Sequence, residues 1–597
     1  MLETRKVEAT ILEEKTIVNV TRGCPQGGVL SPLLWNLVVN DLIEELNANG
    51  YYCQGYADDL VIVVLGKYMN TVRTLAQCAL NIVEKWCKKQ GLGVNPKKTV
   101  IVPFTRKHIQ DEYWKLELSG ETIPVKGAVK YLGVILDAKL HWTPHIKSIC
   151  AKAKSALMST RRACGKNWGL SPKSAYWIYT SVVRPIISYG ATVWWSKVEQ
   201  QTAVKELEKV QRLACLTITS GINSTPTAGM ETMLNLPPLN LWVKMEAAAG
   251  AYRLRAANVW KQTGYPGSHT NISKMVEMGP AGIMPGDLTK YSPSLKKSFE
   301  VKIEGKEQWE DKYRHKSGDI IWFTDGSKMT EGTGAGILGV QPRLEKWYSL
   351  GGWATVFQAE VYAIRSCVEE NQSRCYRNCN IYIYSDSQAA LKALNACEIR
   401  SQLVKDCHEV LERLGGCNKV TLAWVPSHSG IEGNENADRL AKIGAQTPFV
   451  GPEPVLGITK MTVKTGLRCW MHRQHAKHWV NIQKQRHGKL MMPSPCPRRS
   501  TAILNLNRKQ MRLMVSLMTG HGNFKAHLHK MGIIKEPPKC RMCGEEDETA
   551  GHLIFQCEAL ETKRYNIFGT TDPKEIISNN KLVEGLLTLF RSINWLN

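Results

Sequence analysis

Read for the spacing of apolar positions, the chain divides into stretches of different period. Residues 20–137 mix short extended runs with helical spacing: the apolar run from Leu60 to Leu65 predicts a short buried strand, and residues 69–89 predict a helix ended by Gly91 and Gly93. That combination predicts a mixed α/β unit. Residues 140–256 turn helical, with amphipathic stretches at 146–162 and 204–216 and breaks at Pro185 and at Pro237 and Pro238. Pro280, Pro285 and Pro293 among glycines and lysines predict a linker over 278–311. From Asp319 to Gly444 the order reads strand, strand, strand, helix, strand, helices, strand, helix, so a second α/β unit begins there. The sequence shows no solenoid period and no low-complexity stretch.

A chain of 597 residues exceeds a single core, and at roughly 100–200 residues per domain it should hold several. With 43% hydrophobic and 22% charged residues it reads as globular. Its longest apolar run falls far short of the ~18 residues of a membrane span, so no membrane partner is expected. Residues 1–20 alternate charged and apolar side chains without the apolar core of a signal peptide. The expectation is therefore an intracellular protein of cytoplasm and nucleus, not a secreted one. Most of the 18 cysteines are scattered, as reduced buried thiols are.

The net charge of +25 points to a polyanionic partner, because Lys and Arg that neutralise phosphates release condensed counterions. Its distribution sharpens that reading. Residues 318–446 hold 13 Lys and Arg against 15 Asp and Glu, whereas residues 451–539 hold 17 basic residues against only Glu453 and Glu536. The second stretch, with Trp470, Trp479 and several histidines interleaved, is expected to contact phosphates and bases.

Gly55-Tyr56-Ala57-Asp58-Asp59-Leu60-Val61-Ile62 sets two adjacent carboxylates at a tight turn between extended segments. Nucleotidyl transfer uses carboxylates to hold two Mg²⁺ ions across the attacking and leaving oxygens. Because paired acids in turns are commonly structural, the neighbouring motifs decide. Upstream stands Arg22-Gly23-Cys24-Pro25-Gln26-Gly27-Gly28-Val29-Leu30-Ser31-Pro32; downstream stand Gly91-Leu92-Gly93-Val94-Asn95-Pro96-Lys97-Lys98-Thr99 and Lys130-Tyr131-Leu132-Gly133-Val134. This ordered set resembles the palm of reverse transcriptases from non-LTR retrotransposons of the jockey-like and type-1 class, over about the first 260 residues. The resemblance implies an RNA-directed DNA polymerase segment with RNA template and DNA as partners. By it, Asp58 and Asp59 bind Mg²⁺, Gln26 and Gly27 lie against template and nucleotide, Lys98 matches the next motif's lysine, and Tyr131 belongs to the primer grip. The family's first metal-binding Asp and its fingers precede the Gln-Gly motif, where residues 1–21 offer Glu3, Glu8, Glu13 and Glu14 but no Asp. A truncated palm with an incomplete metal set is expected.

Four further acids fall at special places. Asp325 follows the apolar run 320–323, Glu360 lies in the helical stretch 356–370, Asp386 follows the run 381–384, and Asp438 begins the helical stretch 437–443. Two strand ends and two helices can bring carboxylates to one metal pair, which suits phosphodiester hydrolysis without a covalent intermediate. Thr324-Asp325-Gly326-Ser327, Gln358-Ala359-Glu360, Ser385-Asp386-Ser387-Gln388, Val425-Pro426-Ser427-His428-Ser429-Gly430 and Asn434-Glu435-Asn436-Ala437-Asp438 resemble, in order, the motifs of type 1 ribonuclease H. That resemblance implies Asp325, Glu360, Asp386 and Asp438 as ligands of two Mg²⁺ or Mn²⁺ ions, His428 as an aid to product departure, and an RNA–DNA hybrid as substrate. A DDE-type integrase or transposase shares the fold, but helix-borne Glu360 and the His428 loop before Asp438 favour ribonuclease H.

Near the C-terminus Cys540, Cys543, His552 and Cys557 have the spacing C-x2-C-x8-H-x4-C, which suits one structural Zn²⁺. The cluster resembles the one closing many polyproteins of this retrotransposon class. The expected architecture is multidomain α/β: a reverse-transcriptase palm fragment at 1–137, a helical thumb and connector at 138–270 and a linker at 271–316. A ribonuclease H-like domain with a mixed five-stranded sheet follows at 317–447, then a basic helical region at 448–537, a zinc module at 538–560 and a tail at 561–597. The expected function is RNA–DNA hybrid endoribonuclease joined to an incomplete polymerase; the alternative is a catalytically idle nucleic-acid-binding remnant of a mobile element.

Overall fold

The computed structural model describes all residues except 1–4, 12–13, 21–26, 106–113, 166, 258, 260–270, 273–283, 290–291, 294–296, 304–314, 451–453, 455 and 596–597. The chain divides into two compact units, Met1–His145 and Ile146–Asn597.

In the first unit β1 (Arg5–Ile11) and β2 (Glu14–Val20) form an antiparallel hairpin. Helix α1 (Ser31–Ala48) carries Pro32 in its first turn, where the missing N–H leaves no hydrogen bond unmade. A second hairpin joins β3 (Tyr52–Tyr56) to β4 (Asp59–Val63). Helix α2 (Met69–Gln90) ends at Gly91, whose φ of +64° makes the left-handed C-cap that its sequence predicts. Leu42 and Leu46 of α1, Cys53 of β3, and Val83 and Trp86 of α2 make the core. The run expected to be a short buried strand is half-buried, with Leu60, Val61 and Ile62 all partly exposed, because among the described residues β4 pairs with β3 alone. A third hairpin pairs β5 (Ala128–Tyr131) with β6 (Val134–Asp137), and Leu132 and Gly133 take the positive φ values, +44° and +86°, that its two-residue turn requires.

The second unit opens within helix α3 (Thr143–Arg162) and continues with α4 (Gln201–Thr219), α5 (Thr227–Met233) and α6 (Leu239–Ala256). Its sheet contains β7 (Phe299–Lys302), β8 (Ile320–Lys328), β9 (Thr333–Gln341), β10 (Leu344–Ser349), β11 (Asn380–Ser385) and β12 (Lys419–Trp424), in the order β7-β12-β11-β8-β9-β10. Five of these are the expected strands. The sixth, β7, corrects both the five-strand expectation and the reading of 271–316 as a linker, since Phe299 to Lys302 pair in parallel with Val420 to Ala423. The covering helices are α7 (Val356–Ser373), α8 (Gln388–Asn395), α9 (Gln402–Gly415) and α10 (Glu432–Gln446). Helix α10 lies directly on the sheet because β9 offers glycines there: a Cβ at Gly334 would stand 2.1 Å from Ala445 N, and one at Gly336 would stand 2.4 Å from Ala437 O.

The basic region does not stand apart from the helices that precede the sheet. Helix α11 (Lys460–Asn481) buries Val463, Leu467, Met471, His475 and Trp479 at four-residue spacing and packs on α6. Helix α12 (Arg508–Thr519) packs on α4 and α5. Its Arg508 guanidinium donates to Thr217 O at 2.9 Å, Ser220 Oγ at 2.8 Å and Cys164 Sγ at 2.9 Å. The expected tail is also folded: α13 (Leu582–Arg591) buries Leu586, Leu589 and Phe590 completely and packs on α12. No described helix is long and apolar enough to cross a membrane.

Candidate active site

At the centre of the sheet, Asp325 lies within β8, Asp386 just past the end of β11, and Glu360 near the start of α7. Parallel pairing of β8 with β11 brings the first two together, with Thr324 opposite Ser385. Glu360 joins them because α7 touches β8 at Gly326, where a Cβ would stand 2.6 Å from Glu360 N. Carboxylate oxygens of Asp325, Glu360 and Asp386 lie within 4.8 Å of one another. Asp325 and Glu360 are each only 5% exposed. Burial, then the charges of Asp386 and Asp438, push the Asp325 carboxyl up to about 7. Burial, then Asp325 and Asp386, raise Glu360 well above its ordinary range. Glu360 Oε2 is buried without a hydrogen-bond partner among the described residues. Crowded acids with an orphaned oxygen suit a divalent cation, which would neutralise the repulsion that now favours their protonated forms.

Asp438, on α10, is half-buried outside that tight trio, and its Oδ2 accepts from Lys442 Nζ at 2.6 Å. It is close enough for its charge to act on Asp325. His428 is exposed on the loop between β12 and α10, with φ +49°. Sequence reasoning assigned no role to Asn434, which is 3% exposed and donates from Nδ2 to Asp386 Oδ2 at 3.5 Å while its Oδ1 has no partner among the described residues. Its position four residues before Asp438, on one face of α10, was the available signal. Trp424 Nε1 donates to Asp386 O at 3.0 Å and fixes the other side of that acid.

The Asp58–Asp59 pair is placed differently. Both are exposed at the β3–β4 turn, where Ala57 has φ +52° and its carbonyl accepts from Trp35 Nε1 at 2.7 Å. Among the described residues no third acid completes a metal-holding group with them. Tyr131 has a buried hydroxyl without a partner among the described residues, and burial, followed by the charge of Asp59, raises its pKa. Lys98 is exposed in the turn after α2, its N–H directed at Asn95. Gly27, at φ +81°, precedes α1, and Gln26 lies outside the described residues.

The C-terminal cluster assembles as its spacing predicts. The ligand atoms of Cys540, Cys543, His552 and Cys557 lie within 4.8 Å of one another, with Cys540 Sγ 4.0 Å from Cys557 Sγ and Cys543 Sγ 3.4 Å from His552 Nε2. A tetrahedral zinc with Zn–S of about 2.3 Å has S–S edges of about 3.8 Å, so the set fits that ion. His552 Nδ1 lies 2.8 Å from Glu546 Oε2, leaving Nε2 for a metal. Backbone N–H groups of Glu545 and Glu546 lower the Cys543 thiol to about 6, whereas burial, then Cys540, push Cys557 up to about 12. Arg564 donates to Cys557 O at 2.9 Å, and the Arg541 guanidinium stands 4.3 Å over Trp595, so residues after the cluster brace it.

Basic residues of the C-terminal region divide by position. Lys460, Arg468, Arg473 and Lys477 are exposed on α11, and no acid occurs from 454 to 535. Trp479 cannot serve as the expected base-stacking residue: it is 1% exposed and donates to Met492 O at 2.7 Å.

With this geometry in place, the class is defined: the chain carries a reverse-transcriptase segment and a ribonuclease H domain with the fold expected of it. The family profile described as reverse transcriptase (RNA-dependent DNA polymerase) matches residues 3–136, and the RNase H profile matches residues 317–446. Its relatives are Pol polyproteins of R1- and jockey-type retrotransposable elements. The retrovirus-related Pol polyprotein from type-1 retrotransposable element R1 of Nasonia vitripennis is 29% identical over 223 residues, 37% of this chain and 66% of that protein. That from element R1 of Bradysia coprophila is 29% identical over 215 residues, 36% of this chain and 21% of that one. The RNA-directed DNA polymerase from mobile element jockey of Drosophila melanogaster is 28% identical over 188 residues, 30% of this chain and 20% of that one. The chain thus spans from 20% to 66% of the length of these relatives. Among solved structures, RNase H1 from Halobacterium salinarum is 22% identical, covering 21% of this chain and 97% of its own, with a TM-score of 0.18.

Proposed function

We propose that this chain cleaves the RNA strand of RNA–DNA hybrids, with Asp325, Glu360, Asp386 and Asp438 holding two Mg²⁺ or Mn²⁺ ions. The observation that supports this best is the convergence of three carboxylates within 4.8 Å, one of them with an oxygen that has no hydrogen-bond partner among the described residues. Bound there, the cations would supply an activated water and stabilise the charge on the leaving oxygen, so no protein nucleophile is needed. The protein's own part is placement. Asp325 and Glu360 are fixed by burial, Asn434 and Trp424 hold Asp386, and Lys442 restrains Asp438. His428, on its exposed loop, assists product departure in this reading. A hybrid is suited to such a site because its wide minor groove presents 2′-hydroxyls and is recognised by shape.

Residues 318–446 carry a net charge of −2, so phosphate affinity comes from the basic residues that follow, including those on α11. The zinc cluster serves as a structural tie for the C-terminal helices. The polymerase segment does not copy RNA by itself, because Asp58 and Asp59 stand exposed without a third acid beside them among the described residues. The test is a hybrid labelled separately on each strand. With Mg²⁺ the RNA strand should be cut and the DNA strand should stay whole; cutting that survives EDTA would contradict the two-metal mechanism. Tight hybrid binding without cleavage by the folded protein would leave the idle remnant in its place.

A further inference from the structure

Asp287 stands in the stretch whose composition reads as a linker, yet it is only 6% exposed. Its described partners are neutral donors. Ser401 Oγ donates to Oδ1 and Oδ2 at 2.9 and 3.0 Å, Leu403 N donates to Oδ1 at 3.1 Å, and Gln358 Nε2 donates to Oδ2 at 3.3 Å. Removing a carboxylate from water is costly unless its lone pairs are met, and here donors from two different helices meet them. Ser401 is the N-cap of α9, so the carboxylate also lies at the positive end of that helix.

Gln358 is the link to the active site. It completes the capping box of α7 with Thr355, and its Nε2 donates both to Asp287 and, at 2.6 Å, to Gly457 O. Glu360 follows two residues later on the same first turns. The far side of α7 has no slack, since Gly326 touches it at the Glu360 amide. A shift of the first turn therefore moves the Glu360 carboxylate relative to Asp325 and Asp386. The segment around Asp287 is itself anchored: Asp287 N donates to Ile458 O at 2.9 Å, Ile458 N to Pro285 O at 2.8 Å, and Tyr252 OH to Ile458 O at 2.8 Å.

We propose that Asp287 is a positioning residue of the ribonuclease site, the pin that sets the first turn of the Glu360 helix through Gln358. The proposal rests on the reading of Glu360 as a metal ligand. Residues holding a metal ligand from behind typically change metal affinity or activity by about 10- to 100-fold when replaced. A displacement of a reacting group by about 1 Å has a comparable effect.

The test uses the full chain as wild type, Asp287→Asn, Gln358→Leu and Glu360→Gln, with Mn²⁺ affinity read by electron paramagnetic resonance and steady-state cleavage of a hybrid. Asp287→Asn keeps the shape but turns an amide N–H toward donors, whereas Gln358→Leu breaks the link, together with the Thr355 capping box and the bond to Gly457 O, and leaves the Ser401 and Leu403 bonds to Asp287 in place. Both should stay folded at the assay temperature, weaken Mn²⁺ binding about tenfold or more, and lower kcat with KM for hybrid unchanged; excess Mn²⁺ should restore much of the rate. If melting temperature falls while Mn²⁺ affinity and kcat stay at wild-type values in Gln358→Leu, Asp287 is only a structural strap and the proposal fails. Failure of the underlying reading looks different: Glu360→Gln would then bind Mn²⁺ and cleave like wild type.

Discussion

Two pairs of neighbouring acids in this chain have opposite fates. Asp58 lies in the exposed two-residue turn and Asp59, also exposed, opens β4, in a hairpin whose strands have no further partners among the described residues. Asp325 and Asp386 are far apart in sequence but stand on adjacent parallel strands of a six-stranded sheet, with Glu360 closing over them. Sequence adjacency makes the first pair conspicuous, whereas tertiary convergence gathers the second into a crowded, buried cluster. Burial and like charge raise Asp325 and Glu360, a strain that a bound cation relieves. A carboxylate pair becomes a metal centre when the fold supplies a third acid and removes water.

The contrast is most easily broken by exchanging charges for amides. Asp386→Asn should lower hybrid cleavage by about two to three powers of ten, the equivalent of several kcal/mol of lost charge stabilisation, while hybrid binding is nearly unchanged. Asp58→Asn and Asp59→Asn should cleave like wild type in the same assay, and the purified chain should not extend a primer on RNA. Primer extension abolished by Asp58→Asn would show that the exposed pair is a working site after all.

Next in size is the zinc cluster. One Zn²⁺ per chain is expected, and Cys543→Ser should lose it and loosen the residues from 540 to 595, visible as protease cleavage there. Zinc content unaffected by the substitution would reduce the cluster to packed thiols.

The third effect depends on pH. Because Asp325 is raised to about 7 in the folded protein, the folded state keeps a proton that the unfolded chain releases near pH 4. Metal-free stability contributed by this group is therefore present at low pH and lost as pH rises through about 7. Adding Mg²⁺ should raise the melting temperature at about pH 8 and have little effect at about pH 5, and Asp325→Asn should flatten both responses. An equal Mg²⁺ effect at both values would point to binding elsewhere.

The smallest expected change concerns affinity alone. Replacing exposed Arg468 and Arg473 by Glu should weaken hybrid binding at low salt and reduce the slope of log affinity against log salt by about one for every phosphate no longer neutralised. An unaltered slope would place phosphate recognition away from α11.

Much of the ribonuclease domain was legible because its signals are local. Apolar runs mark β8 and β11, helical spacing marks α7, and the motif acids follow those runs or lie in helical stretches. The four ligand positions of the zinc cluster were likewise legible from spacing. What escaped depended on distant partners. Residues 299–302 become a strand only because the edge of β12, far along the chain, accepts them. Their surroundings of Pro, Gly and Lys read as linker. Trp479 looked available for bases because its neighbours are basic, but it lies on the four-residue stripe that packs against α6. Leu586, Leu589 and Phe590 gave the last segment an apolar face that reading it as a tail overlooked.

The measurement that bears most directly on the central contrast is a crystal structure of the chain grown with Mn²⁺, with the ions located by their anomalous scattering. The account predicts manganese between Asp325, Glu360, Asp386 and Asp438, and none at the Asp58–Asp59 turn. Manganese held by Asp58 and Asp59, with the buried acids left protonated and metal-free at neutral pH, would contradict it.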